Sequence, residues 1–449
     1  MFRLPSRFMS RHLATSTRHV RGAQPSILQD FQPHTASKTY TVRPVAFWMD
    51  KILAKENKKQ LFEHTQPRKL VLKSMNESYM EEFLPFKSSP ALLDEYVTKN
   101  GAIRHGKILE DLDALAGAIA YKHVDNFTDG PPVTLVTASV DRMDILMPSK
   151  IENMKISGHV SYVGSSSMEV FVKIDTMPNY DPAVVDTTPF PPTDFLAKPN
   201  SNTVIYANFT MVALDSVTNK SVRVNPLRLA NAEEKSLFMF AEDAKHRKRL
   251  ASEADLSKKP PTEEERVTLH ELYMKYTDAE KNVRAPAGTL WMEDTRLQSV
   301  ILMQPQDRNI HNKVFGGYLL RCALELAHAT GSTLAQNNLS LVSLDESSFR
   351  KPVPVGSVLK LQSQVTYTQE SDKTLQVSVV AQVQDIEKGT CDVTNTFHFT
   401  FASPANSVPR ILPKTYAESI LYLEGKRRNE KRGQAKESLL RLMSPSTAL

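Results

Sequence analysis

An internal repeat limits what this chain can fold into more than any other feature. Both halves carry an Asp followed seven residues later by a Pro, Asp141 to Pro148 and Asp345 to Pro352. Beyond each Pro lies a stretch of alternating apolar residues, GHVSYVGSSSMEVFVKI and SQVTYTQESDKTLQVSV, in which Tyr162 matches Tyr367. Further on, NFTMVA from Asn208 echoes HFTFA from His398. Upstream of each set a Gly opens an apolar-rich stretch, GKILEDLDALAGAIAYKH from Gly106 and GYLLRCALELAHA from Gly317. Matching segments in the same order, at an offset of about 200 residues, mean that one structural unit is built twice.

Periodicity predicts what that unit is. Val160, Tyr162, Met168, Val170 and Val172 follow the two-residue period of a strand, as do Leu375, Val377 and Val379. Ile108, Leu109, Leu112, Leu115, Ala116 and Ile119 form a stripe broad enough for a buried central helix. One helix followed by several antiparallel strands is an α+β unit whose sheet wraps around the helix. Residues 226–282 read as a charged, helical, solvated linker, with a helix starting at Thr262 just after Pro260-Pro261. Residues 410–449 read as a second charged extension, with helices over 416–426 and 435–443.

Charge excludes one class of partner. The net charge is +6, yet Arg3, Arg7, Arg11, Arg18 and Arg21 fall within the first 29 residues, which hold no Asp or Glu. The remaining +1 is no footprint for nucleic acid. That Arg-rich, hydroxyl-rich, acid-free segment predicts a mitochondrial transit peptide over residues 1–30. No apolar run is long enough for a membrane span. Two cysteines, Cys322 and Cys391, exclude a disulfide scaffold and a cysteine-based structural zinc site.

The local signal richest in chemistry is NIHNKVFGG, from Asn309 to Gly317, leading into a helix. Two glycines at a helix start leave backbone N–H groups uncovered at the positive end of the dipole. Such an end can stabilise the oxyanion of an attacked carbonyl.

With these motifs together, the chain resembles the mitochondrial tandem-hotdog acyl-CoA thioesterases of the acyl-coenzyme A thioesterase 9/10 group. The resemblance is carried by SYMEEFLP from Ser78, RHGKILEDLDALAGAIAY from Arg104, SGHVSYVGSSSMEV from Ser157, NIHNKVFGGYLL from Asn309 and FRKPVPVGS from Phe349, and spans residues 70–405. It implies two tandem hotdog domains, 70–215 and 285–405, packed as an intramolecular pair. It also implies hydrolysis of acyl-CoA to free acid and CoA, with the CoA thioester as substrate and with neither metal nor cofactor. The site would lie between the two units, with Asn309 from the second and an acid, Asp113, from the first. Asp113 would act as general base or nucleophile, Asn309 would orient water or carbonyl, and backbone N–H groups at Gly316 or Gly317 would bind the oxyanion. For CoA the resemblance points to Gly164, Ser165, Ser166 and Ser167 and to Arg350 and Lys351; Ser165 stands where related enzymes often carry a basic residue. A homo-oligomer of tandem chains and a matrix location follow from the same resemblance.

Helix geometry supports the choice of acid. Asp113 lies seven residues after Gly106, which returns it to nearly the same face about 10.5 Å along the axis. The equivalent position after Gly317 is Leu324, with Glu325 one residue on and rotated away. The first copy in turn lacks the Gly-Gly pair and has Thr98 where the second has Asn309. Each copy keeps a different half of the constellation, which predicts one composite site per chain. His311 reads as a packing residue and Glu325 as structural. Two other readings compete: a hotdog hydratase or dehydratase, for which neither His105 nor His123 is well placed, and a non-enzymatic acyl-CoA scaffold.

Overall fold

Each run of alternating residues forms an antiparallel sheet that closes around the apolar helix preceding it. The computed structural model describes residues 20–22, 69–125, 133–146, 150–178, 195–196, 202–216, 218–253, 256, 258–280, 285–305, 314–404 and 408–443. The first half holds β1 (Val20–Gly22), β2 (Lys73–Ser74), α1 (Met75–Ser78), β3 (Met80–Leu84), α2 (Pro90–Tyr96) and the long α3 (His105–Val124). It continues with β4 (Val133–Val140), β5 (Met143–Asp144), β6 (Met154–Val163), β7 (Ser167–Thr176), β8 (Thr203–Asp215), β9 (Leu227–Arg228) and α4 (Ala232–Glu253). After α5 (Glu263–Glu280) come β10 (Thr289–Trp291), a 3-10 turn (Glu293–Thr295), β11 (Leu297–Leu302) and the long α6 (Gly316–Ala335). Last are β12 (Ser340–Leu344), β13 (Ser347–Ser348), β14 (Val358–Gln369), β15 (Thr374–Gln384), β16 (Cys391–Ala402), β17 (Arg410–Leu412) and α7 (Tyr416–Met443). Apart from β1, the transit-peptide segment lies outside the described residues. Among the described residues no helix is long and apolar enough to cross a membrane.

The strands form two antiparallel sheets, ordered β1-β3-β6-β7-β8-β4-β13 and β11-β14-β15-β16-β12-β5. The stripe on α3 is the core of the first: Ile108, Leu109, Leu112, Leu115, Ala116 and Ile119 are fully buried. Leu320, Ala323 and Ala327 of α6 play the same part in the second. The chain is thus α+β, two tandem hotdog units packed as a pair.

The last strand of each sheet comes from the other unit. β13 pairs with β4, Ser347 opposite Val140, and β5 pairs with β12, Ser343 opposite Asp144. Two matching bulges lock this exchange. The register shifts between Thr137 and Ser139 and again between Leu341 and Ser343. The carbonyl of each bulged residue accepts a bond from the opposite unit: Phe349 N–H donates to Ala138 O at 2.8 Å and Ile145 N–H to Val342 O at 2.9 Å. Charges then break the symmetry. Arg142 donates to Asp345 across the boundary at 2.6 Å. The position equivalent to Arg142 is Glu346, on the side of Asp141, and Lys248 of α4 bridges the two acids at 3.3 and 2.9 Å.

The repeat runs further than the sequence motifs. Each sheet carries a helix on its outer face, α4 on the first and α7 on the second, and both start with one capping arrangement. Glu234 N–H donates to Asn231 Oδ1 while Ala230 N–H donates to the Glu234 carboxylate. Glu418 N–H donates to Thr415 Oγ1 while Lys414 N–H donates to the Glu418 carboxylate. These are reciprocal capping pairs of the kind that fix where a helix begins. One turn on, Phe238 packs on Tyr162 and Tyr422 on Tyr367, with ring centroids 4.8 and 5.1 Å apart. The segments read from sequence as solvated linker and tail therefore each hold a packed helix. The two helices expected over 416–426 and 435–443 are one continuous helix, α7. Helix α5 starts as predicted, with Thr262 and Glu265 forming its capping box.

Tyr422 is 6% exposed. Tyr422→Ala should lower stability by about 3 kcal/mol, read from denaturant unfolding, and expose α7 to limited proteolysis. An α7 anchored mainly by its charges would show neither change.

Candidate active site

The two long helices cross at the boundary between the units, and glycine at both N-termini lets them touch. A side-chain carbon on Gly317 would stand 2.9 Å from Glu110 Cα and 3.1 Å from Asp113 Cβ; one on Gly106 would stand 2.9 Å from Arg321 Cγ. Any larger residue at either place would push the helices apart.

This approach puts the start of α6 onto Asp113. Gly317 N–H donates to Asp113 Oδ2 at 2.6 Å. The N-cap residue of α6 is Phe315, which offers no side-chain acceptor. The first turn of α6 is therefore capped by a carboxylate from the other unit, where the dipole favours negative charge. A second donor comes from β4: Thr137 Oγ1 donates to Asp113 Oδ1 at 2.8 Å. Thr137 directly precedes the bulged residue of β4, where an extra residue re-aims the strand.

Asp113 is only 2% exposed. Burial pushes its pKa up to about 6; the bonds from Thr137 and Gly317 oppose the rise, and Glu110 adds to it by repulsion. A carboxyl poised there can take a proton and return it near neutrality.

The other mouth is built differently. The repeat positions of Asp113 and Thr137 are Leu324 and Leu341, both buried. Arg104 donates to Glu325 Oε1 at 2.8 Å, so the acid at the start of α3, 3.4 Å from the Gly106 Cβ position, is held in an ion pair.

An oxyanion donor was expected at Gly316 or Gly317. The structure separates them: Gly317 N–H holds the carboxylate, while Gly316 adjoins Asp113 Oδ2 and the Phe349 ring, 3.0 and 3.5 Å from its Cβ position. Asn309 and His311 lie outside the described residues. The Gly164–Ser167 turn closes by Gly164 N–H donating to Ser167 O at 2.8 Å. Ser167 pairs with Val212, and Val212 with Val136, so the turn sits two strands, about 10 Å, from the level of Thr137. Arg350 is exposed, and Lys351 pairs with Asp392 at 2.8 Å on the surface. His105 is held neutral by burial, its pKa lowered to about 4. His123 is fully buried at the far end of α3, against Asn225 O at 2.9 Å.

Sequence reasoning missed Thr137. A signal existed: in the strands leading to the Asp141 and Asp345 motifs, Thr137 is polar where Leu341 is apolar.

Two hotdog units whose central helices meet at a buried carboxylate define the class, a tandem hotdog protein. No family model matches the chain. It is 39% identical over 389 residues to acyl-coenzyme A thioesterase 9, mitochondrial, of Mus musculus, covering 85% of this chain and 84% of that protein. It is 38% identical over 389 residues to acyl-coenzyme A thioesterase 10, mitochondrial, of the same organism, with the same coverage. Among solved structures it is similar to the acyl-CoA hydrolase of Staphylococcus aureus in complex with butyryl coenzyme A, coenzyme A and coenzyme A disulfide. That likeness has 24% identity and a TM-score of 0.32, and covers 35% of this chain and 99% of that one. The chain belongs to the mitochondrial acyl-coenzyme A thioesterase 9/10 family.

The position of Asp113 carries a stability consequence. Its pKa is raised from 3.8 to about 6, so the native state binds the proton more tightly than the unfolded chain. Ionising it therefore costs stability, about 3 kcal/mol above pH 7, a cost that vanishes as the pH falls below about 4. Asp113→Asn should melt at a higher temperature than the parent at pH 8, with the gap closing between pH 6 and 4 in calorimetry. A gap that stays constant with pH contradicts the raised pKa.

Proposed function

We propose that this chain hydrolyses acyl-CoA thioesters to free acid and CoA at one composite site between its two hotdog units. The observation that carries this reading is the buried Asp113 carboxylate, bonded at 2.6 Å to the start of the other unit's helix and at 2.8 Å to Thr137. The thioester carbonyl would sit beside Gly316, where the N-terminal end of α6 stabilises negative charge on its oxygen. Asp113 takes a proton from a water whose oxygen attacks the carbonyl carbon. The C–S bond then breaks, and the CoA thiolate leaves with the proton that Asp113 held. Thr137 and Gly317 fix the carboxylate, and Asn309 orients the water or the carbonyl.

The Gly164–Ser167 turn, with Arg350 and Lys351, is the proposed contact for the CoA phosphates; a Ser-rich turn binds phosphate through N–H and hydroxyl groups. The family relatives are mitochondrial by name, and we place this enzyme in mitochondria, in the matrix, as a homo-oligomer of tandem chains.

Thiol release from a panel of acyl-CoAs tests the reading. Asp113→Asn should lower kcat by about 10²- to 10⁴-fold and Thr137→Ala by about tenfold, with folding intact by circular dichroism. Asn309→Ala should also lower kcat. Loss of turnover in Glu325→Gln but not in Asp113→Asn would move the site to the other mouth.

A further inference from the structure

Glu110 and Arg321 occupy the same place in the repeat, four residues after Gly106 and Gly317. They meet where the helices cross, with Arg321 Nε 3.1 Å from Glu110 Oε2 and side chains 19% and 3% exposed. In a pair of identical units this position would face its own copy, and like charges would oppose each other. The duplicated chain instead sets an acid on one helix against a base on the other.

Glu110 is also the neighbour of Asp113. Residues three apart on a helix share a face, with Cβ atoms about 5–6 Å apart. Both crowd the same glycine, since the Gly317 Cβ position lies 2.9 Å from Glu110 Cα and 3.1 Å from Asp113 Cβ. Two buried carboxylates this close destabilise each other's charge unless one is neutralised.

We propose that Arg321 is a positioning residue for Asp113: by drawing the Glu110 carboxylate toward α6 and offsetting part of its charge, Arg321 favours an ionised Asp113 seated on the Gly317 N–H. The proposal rests on the reading of Asp113 as the acid–base group of thioester hydrolysis.

The other charged groups on the elements packed against α3 are engaged elsewhere. On α3, Lys107 adds a second cation to Glu110 at 3.5 Å, and Asp111 accepts from Tyr96 Oη of α2 at 2.5 Å. On α6, Glu325 is held by Arg104 at 2.8 Å. His105, at the start of α3, is neutral. β4 presents the Thr137 hydroxyl. On β6 and β7, Lys155 pairs with Glu81 at 3.8 Å, Lys173 with Asp175 at 2.9 Å, and Glu169 accepts from Thr210 at 3.0 Å.

The test is the acid limb of kcat/KM against pH for acyl-CoA hydrolysis by the full chain. Arg321→Met should move the limb upward by about one pH unit and Glu110→Gln should move it downward. Arg321→Lys should leave it in place, and the double variant Glu110→Gln/Arg321→Met should return it close to the parent. A merely structural pair cannot give opposite shifts from its two members. Limbs that stay put, or that move in the same direction, overturn the proposal. If Arg321→Met does not fold, Glu110→Gln and Arg321→Lys still decide it: the first must shift downward and the second must not shift. Asp113→Asn with parental turnover would fail the site reading itself; an inactive Asp113→Asn with immobile limbs would fail only this inference.

Discussion

A single hydrogen bond, from Gly317 N–H to Asp113, ties fold to chemistry in this chain. It requires the two helices to approach to backbone contact, which only glycine at the crossing permits. It requires each sheet to be finished by a strand from the other unit, so that the helices are held in place from both sides. It also buries a carboxylate, whose charge is then costly, and offsets part of that cost with a helix end and a hydroxyl. A preorganised site commonly contains a group that would be more stable neutral.

Duplication made room for this arrangement by letting the copies diverge. Asp113 and Thr137 in the first copy have leucines as their counterparts in the second, and the Gly316-Gly317 mouth has His105-Gly106. One mouth holds a buried carboxylate against a helix end; the other holds the half-exposed Arg104–Glu325 ion pair. The outer helices kept their symmetry, as the paired caps at Glu234 and Glu418 and the ring contacts of Phe238 and Tyr422 show. Packing was preserved where it holds a unit together and altered where the units meet.

Much of this was legible in the sequence. The central helices, the strands and the facing of Asp113 follow from periods of 3.6 and 2, which are local properties. Thr137 was not legible from its own strand, because a β-bulge aims it and the bulge depends on pairing with β8. The outer segments were legible as helices, but the face each lays on its sheet was not. Their charged faces dominate the reading, although the caps at Asn231-Glu234 and Thr415-Glu418 were present in the sequence. Gly433 lies between the two helices expected in the C-terminal segment; α7 runs through it at a cost of about 1 kcal/mol, which other helix-forming residues can absorb.

The Glu110–Arg321 contact on the pseudo-twofold axis is also a rule for partner choice. Two copies of the first unit would set Glu110 against Glu110. Two copies of the second would set Arg321 against Arg321 and Glu346 against Asp345. In the mixed pairing the crossing sets acid against base, and the acid pair Asp141 and Glu346 is bridged by Lys248, so these units are complementary to each other. Severed at α5, they would be expected to find one another rather than their twins, and the covalent connection then serves to fix stoichiometry more than to dictate recognition.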